Sequence, residues 1–214
     1  MTRSPAPTAA DLRLIEAERV TPTRWRNGGG STRELLVWPD PAGAAPSSAP
    51  WQLRVSLADI SQHGQFSAYP GVERWFAVVS GAGVRLALPG APVQLQADSP
   101  PLVFDGAHAP DCQLLDGPSR DLNLMLRRDA GQGSLQRALA AQRWQPAATM
   151  RGLFTSGAAT LLVDGQPPRQ LPAMSLLFTS RGDGQAWTLQ PAAGAALQAW
   201  WLAFTPNAPV QPQP

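Results

Sequence analysis

Trp51-Gln52-Leu53-Arg54-Val55-Ser56-Leu57 alternates without a break: Trp, Leu, Val and Leu point one way, Gln, Arg and Ser the other. A period of two is the signature of a half-buried strand. Asp121-Leu122-Asn123-Leu124-Met125-Leu126-Arg127 repeats it with three leucines on one face. Val84-Arg85-Leu86-Ala87-Leu88 does so again, between Gly81/Gly83 and Pro89-Gly90. Further short segments read as strands: 33–38, 74–79, 93–96, 102–104, 112–115, 160–163, 175–178, 185–189 and 197–204. Many short strands at close spacing give an all-β class, a sandwich or barrel.

One stretch departs from this pattern. Ser134 to Trp144 (SLQRALAAQRW) is rich in helix formers and follows Gly131/Gly133, with Ser134 placed to cap. It predicts one short connecting helix between two β units. The chain then divides into an N-terminal half over 12–130, a connector over 131–148 and a C-terminal β half over 149–206. The ends, 1–11 and 207–214, read as disordered tails, and Pro39–Pro50 reads as a low-complexity surface loop.

Composition narrows the chemistry. The chain has 214 residues, enough to bury a core without disulfides or structural metal. Seventeen basic residues against fifteen acidic ones give a net charge of +2, and every basic residue is an arginine. The absence of lysine removes Schiff-base, pyridoxal-phosphate-anchor and P-loop chemistry. No arginine cluster or basic-aromatic stripe points to nucleic acid. No run of 18 apolar residues points to a membrane, and Met1–Ala10 has no apolar segment of the kind a secretory signal carries. Cys112 is the one cysteine, which fits a reducing cytoplasm and reads as a small buried hydrophobe. The histidines, His63 and His108, share no HxH or HExxH spacing, so no metal is expected.

Three features could carry function. Trp25-Arg26-Asn27-Gly28-Gly29-Gly30-Ser31-Thr32-Arg33-Glu34-Leu35 holds three successive glycines, which either make a tight β connection or aim several N–H groups at an anion. The polar face of 51–57, Arg54 and Ser56, either meets solvent or lines a barrel lumen. In a lumen an arginine needs a carboxylate, from the protein or from a ligand. The same fork holds for Asp121, Asn123 and Arg127. Finally, Gly64 to Phe76 runs from an aromatic loop with Phe66 and Tyr69 into Glu73-Arg74, which is either a packed turn or a pocket rim.

Together, the segments Trp25–Leu35, Trp51–Ala58, Gly64–Ser67, Pro70–Arg74, Phe104–Gly106 and Asp121–Met125 resemble the HutD/Ves family of cupin-like proteins in order and spacing. The match covers about residues 20–128. Glu73-Arg74 departs from the family's Asp-Arg but keeps the charge pair. The resemblance implies a bicupin, two RmlC-like jelly-roll barrels packed as halves. It also implies a link to histidine utilisation, in which family members limit pathway output. Pathway intermediates such as urocanate and formiminoglutamate carry carboxylates, which arginine recognises through paired charge-assisted hydrogen bonds.

The reading that joins these strands is a non-enzymatic cytoplasmic regulator that binds such an acid. Its expected site is Trp25, Asn27, Gly28, Gly29, Gly30, Thr32, Arg54, Ser56, Phe66, Arg74 and Asn123, with no cofactor and no catalytic residue. The alternatives are a metal-independent isomerase or hydrolase, with Glu34, Asp121 or His63 as base, and a protein-interaction module without ligand. Exposed strand edges leave room for a homodimer that nothing in the sequence specifies.

Overall fold

The structure, a computed structural model, describes residues 12–39, 51–182, 184–193 and 197–207. The expected tails and the loop at 39–50 fall almost wholly outside these residues. The described chain forms four antiparallel sheets. In the N-terminal half a six-stranded sheet runs, in spatial order, Thr23–Arg24, Gly30–Trp38, Leu53–Ile60, Ser119–Arg127, Val72–Ser80 and Leu102–Asp105. It faces a four-stranded sheet of Gly64–Gln65, Asp111–Leu114, Val84–Ala87 and Pro92–Leu95. The C-terminal half repeats the plan. Its five-stranded sheet runs Arg13–Glu16, Ser175–Thr179, Met150–Thr155, Ala199–Pro206 and Gly131–Arg137. Its four-stranded sheet runs Arg143–Trp144, Trp187–Pro191, Ala159–Val163 and Arg169–Leu171.

Three apolar clusters follow from this layering. One fills the N-terminal half, with Ala58, Ile60, Phe76, Val78, Leu86 and Cys112 among its members. One fills the C-terminal half, where Trp144 stacks on Trp201 at 4.7 Å between ring centroids and both pack against Trp187. The third lies between the halves: Leu53, Val55, Leu57, Leu122, Leu124 and Leu126 of the six-stranded sheet meet Leu135, Phe154, Leu176 and Trp200 of the five-stranded sheet. This third cluster decides the direction of every side chain on the central strands. One face of Leu53–Ile60 is claimed by the other half, so the alternate face must line the N-terminal barrel.

Every strand expected from alternation is present, within a few residues at each end. The connecting helix is not. Gly131–Arg137 is a strand paired along its length with Ala199–Pro206, and Arg143–Trp144 is another. Leu135 enters the core between the halves, whereas Leu139, which the helix would have buried beside it, is 59% exposed. Pairing and burial outweigh local helix preference here. The glycines that suggested a helix start instead allow close approach: a Cβ on Gly133 would lie 2.7 Å from the Ala203 carbonyl oxygen. Among the described residues the one helical piece is a 3-10 turn, Ala17–Arg19, and no helix is long and apolar enough to cross a membrane. The N-terminal segment also crosses over: Arg13–Glu16 pairs with Ser175–Thr179, so the stretch expected to open the first half completes the sheet of the second.

Leu57 is fully buried at the centre of the contact between the halves. Leu57→Ala is expected to lower unfolding free energy by about 2–5 kcal/mol in chemical denaturation. A loss below about 1 kcal/mol would contradict the tight sheet-on-sheet packing described.

Candidate functional site

The barrel face of the six-stranded sheet is built from in-register rows. Arg54, Met125, Arg74 and Phe104 are paired neighbours across four strands. One level deeper come Glu34, Ser56, Asn123, Phe76 and Leu102. Below these, Thr32, Ala58, Asp121 and Val78 form a third row. A β-bulge between Glu34 and Leu36 gives Gly30–Trp38 an extra residue. Leu35 and Leu36 therefore both reach the core between the halves, while Glu34 keeps its place in the lumen.

The two luminal arginines have different surroundings. Arg54 donates from Nη2 to Glu34 Oε2 at 2.7 Å and lies over the Trp51 ring. Arg74 is 7% exposed, and no carboxylate among the described residues comes within ion-pair distance of it. Its Nη2 donates to Asn123 Oδ1 at 3.0 Å, with a long contact of 3.5 Å from Nη1 to the Ser67 carbonyl. Its Nε is buried without a partner. Three rings surround the guanidinium, Phe66, Tyr69 and Phe104, with centroids 5.1, 5.9 and 5.0 Å from Cζ. Desolvation pulls the Arg74 pKa down to about 10, with the positive Arg54 adding to the effect. It remains charged at neutral pH, held by an amide and aromatic faces rather than by an anion.

The floor below is uncharged. Asp121 is fully buried; Ser119 Oγ donates to its Oδ1 at 2.9 Å, and Oδ2 has no partner. Burial raises its pKa to about 8, so the acid form holds at neutral pH. Cys112, buried near it, is pushed up to about 12 by desolvation and then by Asp121, and is no nucleophile. Of the other bases expected from sequence, Glu34 is tied to Arg54. His63 is exposed and accepts the Leu114 N–H at Nδ1, away from the lumen.

The other expected site residues divide cleanly. Thr32, Ser56, Phe66 and Asn123 join the arginines on the luminal side. Trp25 covers Thr32, its Nε1 donating to Oγ1 at 2.8 Å, and meets Phe66 edge-on. Asn27 and the glycines do not join them. Gly28 N–H donates to the Trp25 carbonyl and Gly29 N–H to Asn27 Oδ1, so the donors expected to hold an anion close the turn instead. Gly30 pairs with Ile60, at the end of the strand away from Arg54 and roughly 20 Å from it along the backbone. Arg33 of the same motif points out of the barrel to Asp59 and Glu18. Burial alone would raise the Asp59 pKa, but Arg120 and then Arg33 hold it below the usual carboxylate range. Arg127 also lies outside, bound to Asp129.

A groove of about 420 Å³ is lined by Trp51, Tyr69, Val72, Arg127, Arg128 and Asp129. Its two aromatic walls are the rings that contact Arg54 and Arg74. Sequence reasoning passed over Trp51 and Phe104 as ligands. Both stood in segments read as strands, but alternation put Trp51 on the face opposite Arg54; the strand starts only at Leu53, so period two does not extend to Trp51.

The HutD family profile matches residues 17–197. An uncharacterized 21.2 kDa protein in the hutC 3' region of Pseudomonas putida is 32% identical over 127 residues, 59% of this chain and 64% of that protein. Protein Ves of Citrobacter koseri is 37% identical over 119 residues, 55% of this chain and 59% of Ves. The chain thus spans about three fifths of the length of these curated relatives. The structure of HutD from Pseudomonas fluorescens SBW25 superposes with a TM-score of 0.76 at 26% identity, covering 92% of this chain and all of that one. More distant neighbours share the fold alone; among them is salicylate 1,2-dioxygenase of Pseudoaminobacter salicylatoxidans, 9% identical, with a TM-score of 0.57 and covering 90% of this chain and 80% of that one.

The glycine loop and the floor each yield a test. A Cβ on Gly30 would stand 2.3 Å from the Asp59 carbonyl oxygen, whereas one on Gly28 meets nothing within 4 Å and bears only the strain of φ +73°. Gly30→Ala should therefore lower the melting temperature more than Gly28→Ala, whose penalty is about 1–2 kcal/mol; the reverse order would contradict the turn. For Asp121, the folded pKa lies above the unfolded one. The folded state then holds a proton that the unfolded state has released between pH 4 and 8, and stability falls as pH rises through that window. Asp121→Asn should show a smaller fall in melting temperature from pH 5 to 8 than the wild type. An equal fall would place an ionised carboxylate at this position.

Proposed function

This chain belongs to the HutD family, and from that premise we propose that its N-terminal barrel is a receptor for a small carboxylic acid. The observation that carries the proposal is the Arg74 guanidinium, nearly sealed from solvent yet without a carboxylate partner among the described residues. A buried cation is stable when an anion completes it, and a carboxylate offers two acceptors in the geometry a guanidinium presents. Asn123 and Ser56 supply neutral hydrogen-bonding groups beside it. Phe66, Tyr69 and Phe104 supply apolar walls, in the mix expected of a small-molecule site.

The names HutD and hutC attached to the relatives connect the reading to histidine utilisation. Urocanate and formiminoglutamate are the acids to try first. The role is that of a cytoplasmic sensor which reports an intermediate rather than converts it. The luminal groups favour this over catalysis: Glu34 is neutralised by Arg54, and Asp121 sits sealed beneath the arginines.

In a thermal-shift and calorimetry panel of both acids, one is expected to bind and be recovered unchanged by mass spectrometry after overnight incubation. At a hundred times its dissociation constant it should add about 2.7 kcal/mol of stability. Arg74→Gln should weaken binding by about 10- to 100-fold with the fold retained by circular dichroism. Unchanged affinity in a folded Arg74→Gln protein overturns the site, and a consumed substrate overturns the non-enzymatic role.

A further inference from the structure

Glu34 points into the barrel because a bulge puts Leu35 and Leu36 together on the opposite face. There its carboxylate meets Arg54 at 2.7 Å, with both side chains about one fifth exposed: 21% for Arg54 and 23% for Glu34. Arg54 and Arg74 are each paired with Met125, on either side of the same strand, so their backbones stand two strand spacings apart, roughly 10 Å. They sense one another: the charge on Arg54 opposes that on Arg74.

We propose that Glu34 is a built-in counter-anion that sets this site to accept monocarboxylates and to reject dicarboxylates, an inference that rests on the carboxylate reading of Arg74 and that, of the two acids named above, selects urocanate, with one carboxylate, over formiminoglutamate, with two. The charge balance is simple. Two guanidinium groups and one carboxylate face the lumen at this level, which leaves one unit of positive charge. Other acidic groups nearby do not alter it. Asp121, deeper on the same strand as Asn123, is held in its acid form by burial. Glu73 accepts from Trp75 Nε1 and lies near Arg128, on the far side of its strand.

An acid with one carboxylate neutralises Arg74 and completes the site. A second carboxylate long enough to reach Arg54 finds that guanidinium already held, and meets Glu34 at like charge. It must displace Glu34 into a half-buried position without a partner or stay unpaired itself, and either choice leaves an uncompensated charge out of water. Discrimination of this kind is achieved by an unfavourable contact with the wrong ligand as much as by a favourable one with the right ligand.

The test uses a pair that differs in charge and little else: glutarate and its half-amide, glutaramate. Both are titrated at pH 7 by ligand-detected NMR. The wild type should bind the half-amide at least about tenfold tighter than the diacid. In Glu34→Gln, Arg54 is freed and the preference should vanish or invert through a gain in glutarate affinity. In the double variant Glu34→Gln/Arg54→Gln the single positive charge returns and the wild-type preference should return with it. Glutarate binding as tightly as glutaramate to the wild type overturns this inference and leaves the carboxylate receptor standing. Binding of neither acid, together with failure of the histidine-pathway acids, overturns both. An unchanged preference in a Glu34→Gln protein that melts normally removes Glu34 from the role. The wild-type comparison needs no variant, so a misfolded mutant cannot shield the idea.

Discussion

The contact between the two large sheets is the constraint on which the site depends. Leu53, Val55 and Leu57 on one strand, and Leu122, Leu124 and Leu126 on its neighbour, are buried against the other half of the molecule. A strand has two faces and no third. Once the other half claims the leucine face, Arg54, Ser56, Asp121 and Asn123 have only the barrel interior left. The polar lumen is therefore a consequence of the way the halves pack. A slip of one residue on Leu53–Ile60 would expel Arg54 and Ser56 and turn leucines into the lumen in their place, and the same slip on Ser119–Arg127 would expel Asp121 and Asn123. The bulge at Leu35 shows how closely this is controlled: it satisfies the core with two successive leucines and still returns Glu34 to the lumen.

Within that lumen the two arginines resolve the cost of burial differently. Arg54 has a carboxylate from its own chain and an aromatic ring above it. Arg74 has an amide oxygen and three rings but no anion. Cation–π contacts of this type are worth about 0.5–2 kcal/mol each, less than the loss on removing a guanidinium from water. The Arg74 environment is thus tolerable but incomplete, and that incompleteness is what the proposed receptor rests on. The surface arginines make the contrast. Arg127 is held bidentately by Asp129, and Arg120 is shared between Asp59 and Glu18, with their charges satisfied in solvent.

Alternation made the strands legible because period two survives whether a strand is at an edge or at a centre. It could not tell a wet face from a luminal one, since that depends on which sheet lies opposite, nor how far a luminal face runs: Arg127 shares a face with Asn123 but ends the strand and is exposed. Ser134–Trp144 misled because helix propensity is local while the partner of Gly131–Arg137, Ala199–Pro206, lies more than sixty positions away. The triple glycine misled differently. Its three residues were read as donors for an anion or as a tight connection, and the connection prevails: the Trp25 carbonyl takes the Gly28 N–H, Asn27 Oδ1 takes the Gly29 N–H, and Gly30 is small because Asp59 is close. Family-specific sequence here marks a tight turn that sets the register of Gly30–Trp38, and through that register the position of Glu34.

Polarity is graded along the barrel. The arginines stand at one end, under the Trp51 and Tyr69 rings that also line the groove, Ser56 and Asn123 lie in the middle, and Asp121, its acid form favoured by burial, with Cys112 closes the floor. An anion is favoured at only one depth in such a gradient. Higher up it is hydrated and screened; lower down it meets a carboxyl group and a thiol whose neutral forms burial favours. In the proposed receptor such a gradient would orient a ligand with one charged end, its carboxylate at the level of Arg74. Asp121 matters to this arrangement by staying uncharged. An ionised carboxylate two residues from Asn123 would cancel the field that Arg74 presents, and the same burial that destabilises that ionised form protects the cation above it.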